Sequence, residues 1–417
     1  MRNTVLFIGI ALIVAFTAGF AKEASADEDK VKLSAQIRTR AETDARDFSN
    51  DTDPMGFTLL RLRLNAEFQA TNDISGFVQL QDSRTFGAEP NTLADTANVD
   101  LHQGYIEVED FLIDDLELKM GRMELAYANE RLIGAVGWHN VGRAFDGGLL
   151  SYEASDNLTI DFIGMTLVDQ ADPADVGDTG SDFGGVYAMY HPNNTYHLDI
   201  YVLGEWNRKE SVRSEDDLQR LTAGIYDKGK LGALDYEVEI AGQTGKRFNP
   251  DSRARQDIAA FMLTGAIGYT GKGDTKPRIA VGYDYLSGQE RGDEDYKAFD
   301  TLFATNHKFY GYMDYFVNVP ANTGGAGLQD LMARLRIDPH KKVTLAADFH
   351  HLMSAKKVRD ENTFGQEVDL TATWRYAQAL TFILGASVFV PDTLMEARFG
   401  GNDDAAFWSY LMTTASF

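Results

Sequence analysis

From Leu60 to Gln69 the chain alternates without a break: Leu60, Leu62, Leu64, Ala66 and Phe68 fall on one side, and Arg61, Arg63, Asn65, Glu67 and Gln69 on the other. A period of two separates the faces of a β-strand. A strand of about ten residues with one apolar and one polar face is the wall unit of a transmembrane β-barrel, lipid outside and water inside. The alternation recurs at Leu198–Val202, Leu234–Ile240, Leu331–Ile337 and Val368–Trp374, where the polar face carries charges of both signs. A soluble β-sandwich or solenoid would alternate too, so the connections and the chain ends have to discriminate.

Short polar turns are predicted at Thr71–Asp73, Asp110–Asp115, Ser155–Asn157, Pro192–Asn194, Lys228–Gly232, Gly271–Thr275, Asp338–His340 and Tyr376–Gln378. Longer acidic or glycine-rich segments alternate with them, at 42–56, 84–99, 123–142, 169–181, 206–216, 246–257, 287–327, 354–363 and 391–405. Eight turns and nine loops join 18 antiparallel strands, with 16 as the alternative count. An even number puts both termini on the short-turn side, the periplasm, and the long loops outside the cell.

Both ends agree with this. Arg2 precedes an apolar run from Val5 to Phe20, and Ala24-Ser25-Ala26 then offers a small-residue cleavage site, the layout of a secretory signal peptide. Residues 1–26 are therefore read as that signal and 27–417 as the barrel. The chain stops at Phe417 after alternating Phe407, Leu411, Thr413 and Ala415, a close that resembles the signal read by the outer-membrane barrel assembly machinery. Mean hydropathy is −0.28, which hides nothing, because the two faces of a barrel strand cancel. Without cysteine, neither disulfides nor thiolate metal sites are available. Removing Arg2, Lys22 and Glu23 takes the net charge from −24 to −25, which excludes nucleic acid as a natural partner. The partners expected instead are membrane lipid, lipopolysaccharide and a solute.

A barrel of this size encloses a lumen, and fixed charges on its wall select ions by their local field. Arg61, Arg63, Arg122, Arg131, Arg143, Arg334, Arg336 and Arg375 lie on or beside predicted strands. Each either faces the solute or braces the wall against a carboxylate such as Glu67, Glu107, Asp348, Glu367 or Asp369. The 123–142 loop is apolar for a connection, with Leu132, Ile133, Val136, Trp138 and Val141, so it is expected to fold inward. Arg131 and Arg143 flank it, and Glu124, Glu130 and Asp146 are placed to pair with them at the narrowest point. The 287–327 loop carries Phe309, Tyr310, Tyr312, Tyr315 and Phe316, an aromatic run that either stacks on sugar rings or packs internally.

The segment GRMELAYANERLIGAVGWHNVGRAFDG, Gly121 to Gly147, resembles the signature of the alginate-export family of outer-membrane proteins. LRLRLNAEF and VQLQDSRTFG before it, and NHKFYGYMDYF, GLQDL and GQEVDLTATWRY after it, resemble further blocks in the expected order. The resemblance implies an 18-stranded monomeric barrel, in a family whose members include an alginate exporter with an arginine-rich constriction. By motif position it points to Arg61, Arg63, Arg122, Arg131, Arg143, Arg334 and Arg375. It does not fix the solute, because function sits in sites rather than folds.

An enzyme is not expected. The eight histidines show no HExxH or comparable spacing, and neither a GxSxG elbow nor a phosphate loop is present. No cofactor is expected beyond loop-bound Ca²⁺, which Asp293-Glu294-Asp295 or Glu215-Asp216-Asp217 could hold through oxygen ligands. The expected function is passive passage of anionic oligo- or polysaccharide or small anions. The alternative is a general diffusion porin or a structural barrel.

Overall fold

The computed structural model describes residues 30–92, 98–168, 180–207, 218–249, 252 and 254–417. The signal-peptide expectation and the Glu215–Asp217 cation site lie outside these residues.

The first nine strands are β1 (Val31–Ala45), β2 (Met55–Gln69), β3 (Ile74–Thr85), β4 (Val99–Val108), β5 (Leu116–Met123), β6 (Phe145–Ser155), β7 (Leu158–Val168), β8 (Ser181–Asn193) and β9 (Tyr196–Asn207). The other nine are β10 (Leu218–Leu231), β11 (Leu234–Asn249), β12 (Ala254–Thr270), β13 (Arg278–Leu286), β14 (Leu328–His340), β15 (Val343–Val358), β16 (Glu361–Ala377), β17 (Leu380–Pro391) and β18 (Ala406–Ser416). Each strand pairs antiparallel with its sequence neighbours, and β1 pairs with both β2 and β18, so the 18-stranded sheet has no free edge. Closure satisfies every wall amide within the sheet, a requirement for crossing hydrocarbon.

The alternation sorts as expected. Leu64, Leu335 and Leu370 are 48%, 52% and 52% exposed, whereas Arg61, Asp330 and Asp369 on the intervening positions are buried inside. A continuous exposed apolar belt on a sheet with a charged interior is a lipid-facing surface. No helix among the described residues is long and apolar enough to cross a membrane, so the strands do the crossing. At the short-turn end Trp374 stacks on Phe382, with ring centroids 5.5 Å apart, and meets Tyr376 edge-on, an aromatic group placed where a membrane–water interface favours it. Gly121, in β5, has φ +137°, and a Cβ there would collide with the Gly104 carbonyl oxygen. Only glycine fits this close strand approach.

All eight turns exist, with shifts of a few residues at two of them. β10 runs on to Leu231 before Gly232-Ala233, and β14 runs through Asp338–His340 to turn at Lys341-Lys342. The loop expected over 354–363 is corrected more substantially. β15 continues to Val358 and β16 restarts at Glu361, leaving a tight hairpin at Arg359 and Asp360, both at positive φ of 53° and 72°. There the strands rise past the membrane and water wets both faces, so the apolar alternation that marks a strand fades before the hydrogen-bonded ladder does.

Candidate functional site

Two loops fold into the lumen and join. In the 124–144 loop and the 287–327 loop, Ile133 and Phe303 form a parallel bridge. Phe303 N donates to Leu132 O at 2.8 Å, Gly134 N to Phe303 O at 2.9 Å, and Thr305 N to Glu130 O at 2.9 Å. Arg143 reinforces this ribbon, its Nη1 donating to the carbonyls of Gly134, Phe303 and Ala304. The buried Phe145, Phe183 and Leu132 pack beneath it, so burial of apolar side chains, rather than the ladder alone, holds the ribbon in place.

On one side the ribbon is gripped by a basic wall. Arg38 donates to Gly137 O at 2.7 Å and His139 O at 3.1 Å, Arg40 to Trp138 O at 2.7 Å, and Arg61 to Gly137 O at 3.1 Å. Ser83 and Gln81 add bonds to the carbonyls of Asn140 and Val141. Arg40 also pairs with Glu42 at 2.6 Å, and Arg63 with Glu124 at 3.1 Å. Arg38 and Arg61, by contrast, bond carbonyl and amide oxygens and, among the described residues, form no ion pair. Buried guanidiniums left without carboxylates keep their field.

An acidic arc runs from β11 to β16. Glu239, Asp284 and Asp330, on β11, β13 and β14, lie farther round the barrel from the basic wall, and Glu367 and Asp369, on β16, stand three strands from β1; all five are buried. Arg131 crosses the lumen to them: its Nη1 donates to Asp284 Oδ2 at 2.6 Å and Tyr310 Oη at 3.1 Å, its Nε lies 3.8 Å from Glu239, and its guanidinium rests 4.0 Å from the Phe309 ring centre. Burial alone would depress this guanidinium, but Asp284, Tyr310 and Glu239 outweigh it and hold the group above its ordinary value. Arg131 is thus a strut inside the wall-loop junction. The pairings expected along the 123–142 loop are corrected accordingly: Glu124 binds Arg63 and His102, Glu130 binds Lys308 and Thr305, and Asp146 binds Arg122 at 2.7 Å. Arg143 takes carbonyls, because both loops curl their backbone toward it.

Of the remaining sequence candidates, Arg334 lies 3.8 Å from Asp348, and Arg375 donates to Thr344 Oγ1 at 3.1 Å. They face the lumen nearer the short-turn end, apart from the ribbon. Most of the aromatic run became core: Phe309, Tyr310, Tyr315 and Phe316 are buried, and Tyr312 alone borders open space. Asp293 is engaged by Lys297 at 2.7 Å, and no group of three acidic or histidine side chains among the described residues is arranged to hold a metal. His350 bonds Asp330 at 2.6 Å.

Beside the ribbon lies a chamber of about 560 Å³, lined by Arg38, Trp138, Lys308, Tyr312, Thr371 and Tyr410. Trp138 is its centrepiece. The Arg40 guanidinium sits 3.9 Å from one face, and His307 stacks on the other at 4.3 Å and 8°. Arg38, Arg40 and Trp138 were not among the sequence candidates for this site, although a weaker signal than that of β2 existed: Arg38, Arg40 and Glu42 alternate with Ile37, Thr39 and Ala41.

His139, whose side chain stays largely exposed, is held below its ordinary imidazole value by partial desolvation and by Arg40 and Arg38 beside it. It is neutral near pH 7. A lowered histidine leaves docking intact above the unperturbed value near 6.5 and weakens it as pH falls below that. Acidification is therefore expected to bring brief conductance fluctuations from the loosened 137–141 segment, read in single-channel recordings. Those fluctuations should be absent in His139→Gln.

The profile of the family described as alginate export matches residues 29–407. Several solved structures share the fold at low sequence identity. Acinetobacter baumannii OccAB3 is 12% identical with a TM-score of 0.62, covering 93% of this chain and 99% of that one. Pseudomonas aeruginosa OccK2, solved with glucuronate, is 14% identical at 0.61, covering 94% and 98%. The outer-membrane protein OprD of the same organism is 13% identical at 0.61, covering 95% and 96%. No curated protein matches the chain. A lipid-facing closed barrel, a loop ribbon slung between oppositely charged walls, and a profile match spanning nearly the whole barrel together establish that this outer-membrane β-barrel belongs to the alginate export family.

Proposed function

We propose that the protein is a passive channel favouring solutes that carry a carboxylate on a ring, such as uronic acids and their short oligomers. The observation that carries this reading is the pair Arg38 and Arg61, cationic and without ion-pair partners among the described residues, beside a chamber that also presents Trp138, Tyr312 and Tyr410. Guanidinium attracts carboxylate, and aromatic edges and faces accommodate a sugar ring. The chamber's volume of about 560 Å³ falls in the range of small-molecule sites. Two structural neighbours were crystallised with ring carboxylates, OccK2 with glucuronate and OpdK with vanillate, which supports the class without fixing the solute. Arg131 and Arg143 serve here as struts, and Arg63, Arg334 and Arg375 add to the lumenal field alongside Glu130, whereas the exposed Arg122–Asp146 pair shares the outward face of Met120 and adds nothing to that field. The reading includes signal-peptide export through residues 1–26, insertion by the barrel assembly machinery, contact with lipopolysaccharide, and a monomer.

The competing reading is a general diffusion porin, which the acidic wall of Asp284, Asp330, Glu367 and Asp369 favours. Reversal potential under a salt gradient across a planar bilayer separates them. Anion preference that drops in Arg38→Gln/Arg61→Gln, together with current block by glucuronate and none by glucose, is the expected result. Cation preference indifferent to those substitutions would sink the proposal.

A further inference from the structure

The tip of the long loop, Phe309–Phe316, is tied to its surroundings by anchors of different kinds. Arg131 holds Tyr310 and lies over Phe309 within an ion-paired junction. Arg46 donates to Met313 O at 3.1 Å and receives the Tyr315 hydroxyl on its own carbonyl at 2.9 Å. The third anchor, to β16, is made by main-chain amides on acidic side chains. Met313 N donates to Glu367 Oε1 at 2.8 Å, and Tyr312 N reaches Asp369 Oδ2 at 3.4 Å.

This third anchor is short of compensation. Glu367 is fully buried, and among the described residues its Oε2 receives no N–H or hydroxyl donor, its carboxyl meeting that of Asp369 instead. Asp369 lies two residues along the same face and takes the Ser387 hydroxyl at 2.5 Å. Among the described residues the one basic side chain within 4 Å of either carboxyl is His350, 3.9 Å from Asp369 and already bonded to Asp330. Asp348 and Asp314 add further negative charge around the tip, and Arg334 lies against Asp348. Two buried carboxyl groups side by side, with no lysine or arginine paired to either among the described residues, form a junction weaker than an ion-paired one. Geometry makes the contact all or none. Gly311 sits at φ +85° with its Cα against the Glu367 carboxylate, and a Cβ there would occupy the space of those oxygens.

We infer that the contact between Glu367 and the Gly311–Met313 tip is a releasable latch that sets the size limit of the channel. With the latch closed, the tip lies against β16 and narrows the lumen beside the chamber. With it open, the tip leaves the wall while the Ile133–Phe303 ribbon stays bonded, and bulkier solutes pass. Glu367 is a positioning residue, acting through the loop rather than on the solute. The inference rests on the channel reading but not on its preference for anions, so neutral probes test it separately.

The experiment uses the full protein in planar bilayers, with neutral polyethylene glycols of graded mass. The readout is the mass above which polymer no longer enters the pore and lowers its conductance. Glu367→Ala removes the acceptor and is expected to shift that cut-off upward. Glu367→Gln keeps an acceptor for Met313 N and lowers the repulsion with Asp369, so its cut-off should stay at the wild-type mass. Gly311→Ala strikes the same contact from the loop side and should shift the cut-off upward as well. Heat-modifiable gel migration reports whether each barrel has assembled, and if Glu367→Ala fails to assemble, Gly311→Ala decides. In the wild-type protein, the amides of Tyr312 and Met313 should exchange with deuterium ahead of those of Phe303 and Gly134. An unshifted cut-off in assembled Gly311→Ala or Glu367→Ala, a Gln variant that shifts as the Ala variant does, or equal protection of tip and ribbon would each overturn the latch.

Discussion

Replacing Arg131 by alanine is expected to destabilise the barrel by about 3–5 kcal/mol, the range for removing one partner of a buried ion pair. The guanidinium is the cation closest to Asp284 and Glu239, both buried on the inner wall, and it also takes up the Tyr310 hydroxyl. Its loss strands two buried carboxylates at the edge of the lumen and removes the strut that joins both loops to β11 and β13. The measurement is denaturant or thermal unfolding in detergent micelles, followed by tryptophan fluorescence, with single-channel conductance as the functional readout. The same logic predicts strong non-additivity. Arg131→Met combined with Asp284→Leu should recover part of the loss, because the most costly stranded charge leaves with its partner. A single Arg131→Ala within experimental error of wild type would show that water reaches the site and that the strut carries no energy.

Trp138→Ala is expected to produce the largest change in conductance. The indole is sandwiched between Arg40 and His307 and meets Tyr410 and Trp408 edge-on, at 4.8 and 5.8 Å. It therefore rivets β1, β18 and both inward loops at one point. Truncation of a large aromatic in a packed site costs about 3–5 kcal/mol when the site cannot collapse. Trp138 is only half-buried and borders the chamber, so part of the space it vacates becomes open lumen rather than a sealed void. Conductance should rise and fluctuate, while the barrel itself, held by its closed ladder, stays folded. Trp138→Phe keeps a ring between Arg40 and His307 and should retain most of the wild-type behaviour. If the alanine variant conducts like wild type, the current runs elsewhere, and the cavity of about 490 Å³ near Lys228, Arg278 and Arg334 becomes the principal path.

The sequence and the structure agree where the physics is local. In β2, lipid must meet Leu62 and Leu64 while water meets Arg61 and Arg63, and that demand is written residue by residue in a period of two. The period of two is lost at 354–363, where the strands outlast the membrane and no lipid enforces alternation. It is faint around Arg38 and Arg40, whose alternating neighbours include Thr39 and Ala41 rather than a run of leucines. The inward fold of the 123–142 loop was legible from Leu132, Ile133 and Trp138, because apolar side chains on a connection must be buried somewhere.

What those loops would meet was not legible. Arg131 pairs with Asp284, 153 positions away, and Met313 bonds Glu367, 54 positions away. By itself, the sequence determined the wall: strand identity, an even count of eighteen or sixteen, which face meets lipid, and the side on which the chain ends lie, while closure of the sheet decided for eighteen. Each follows from hydrogen-bond closure in hydrocarbon and from nearest-neighbour alternation. Only the tertiary structure decided which charges remain without an ion pair at Arg38 and Arg61, which are spent as struts at Arg131, and where the aromatic run packs. Those outcomes depend on which distant strands the closed barrel brings face to face across its lumen, and no local pattern encodes that juxtaposition.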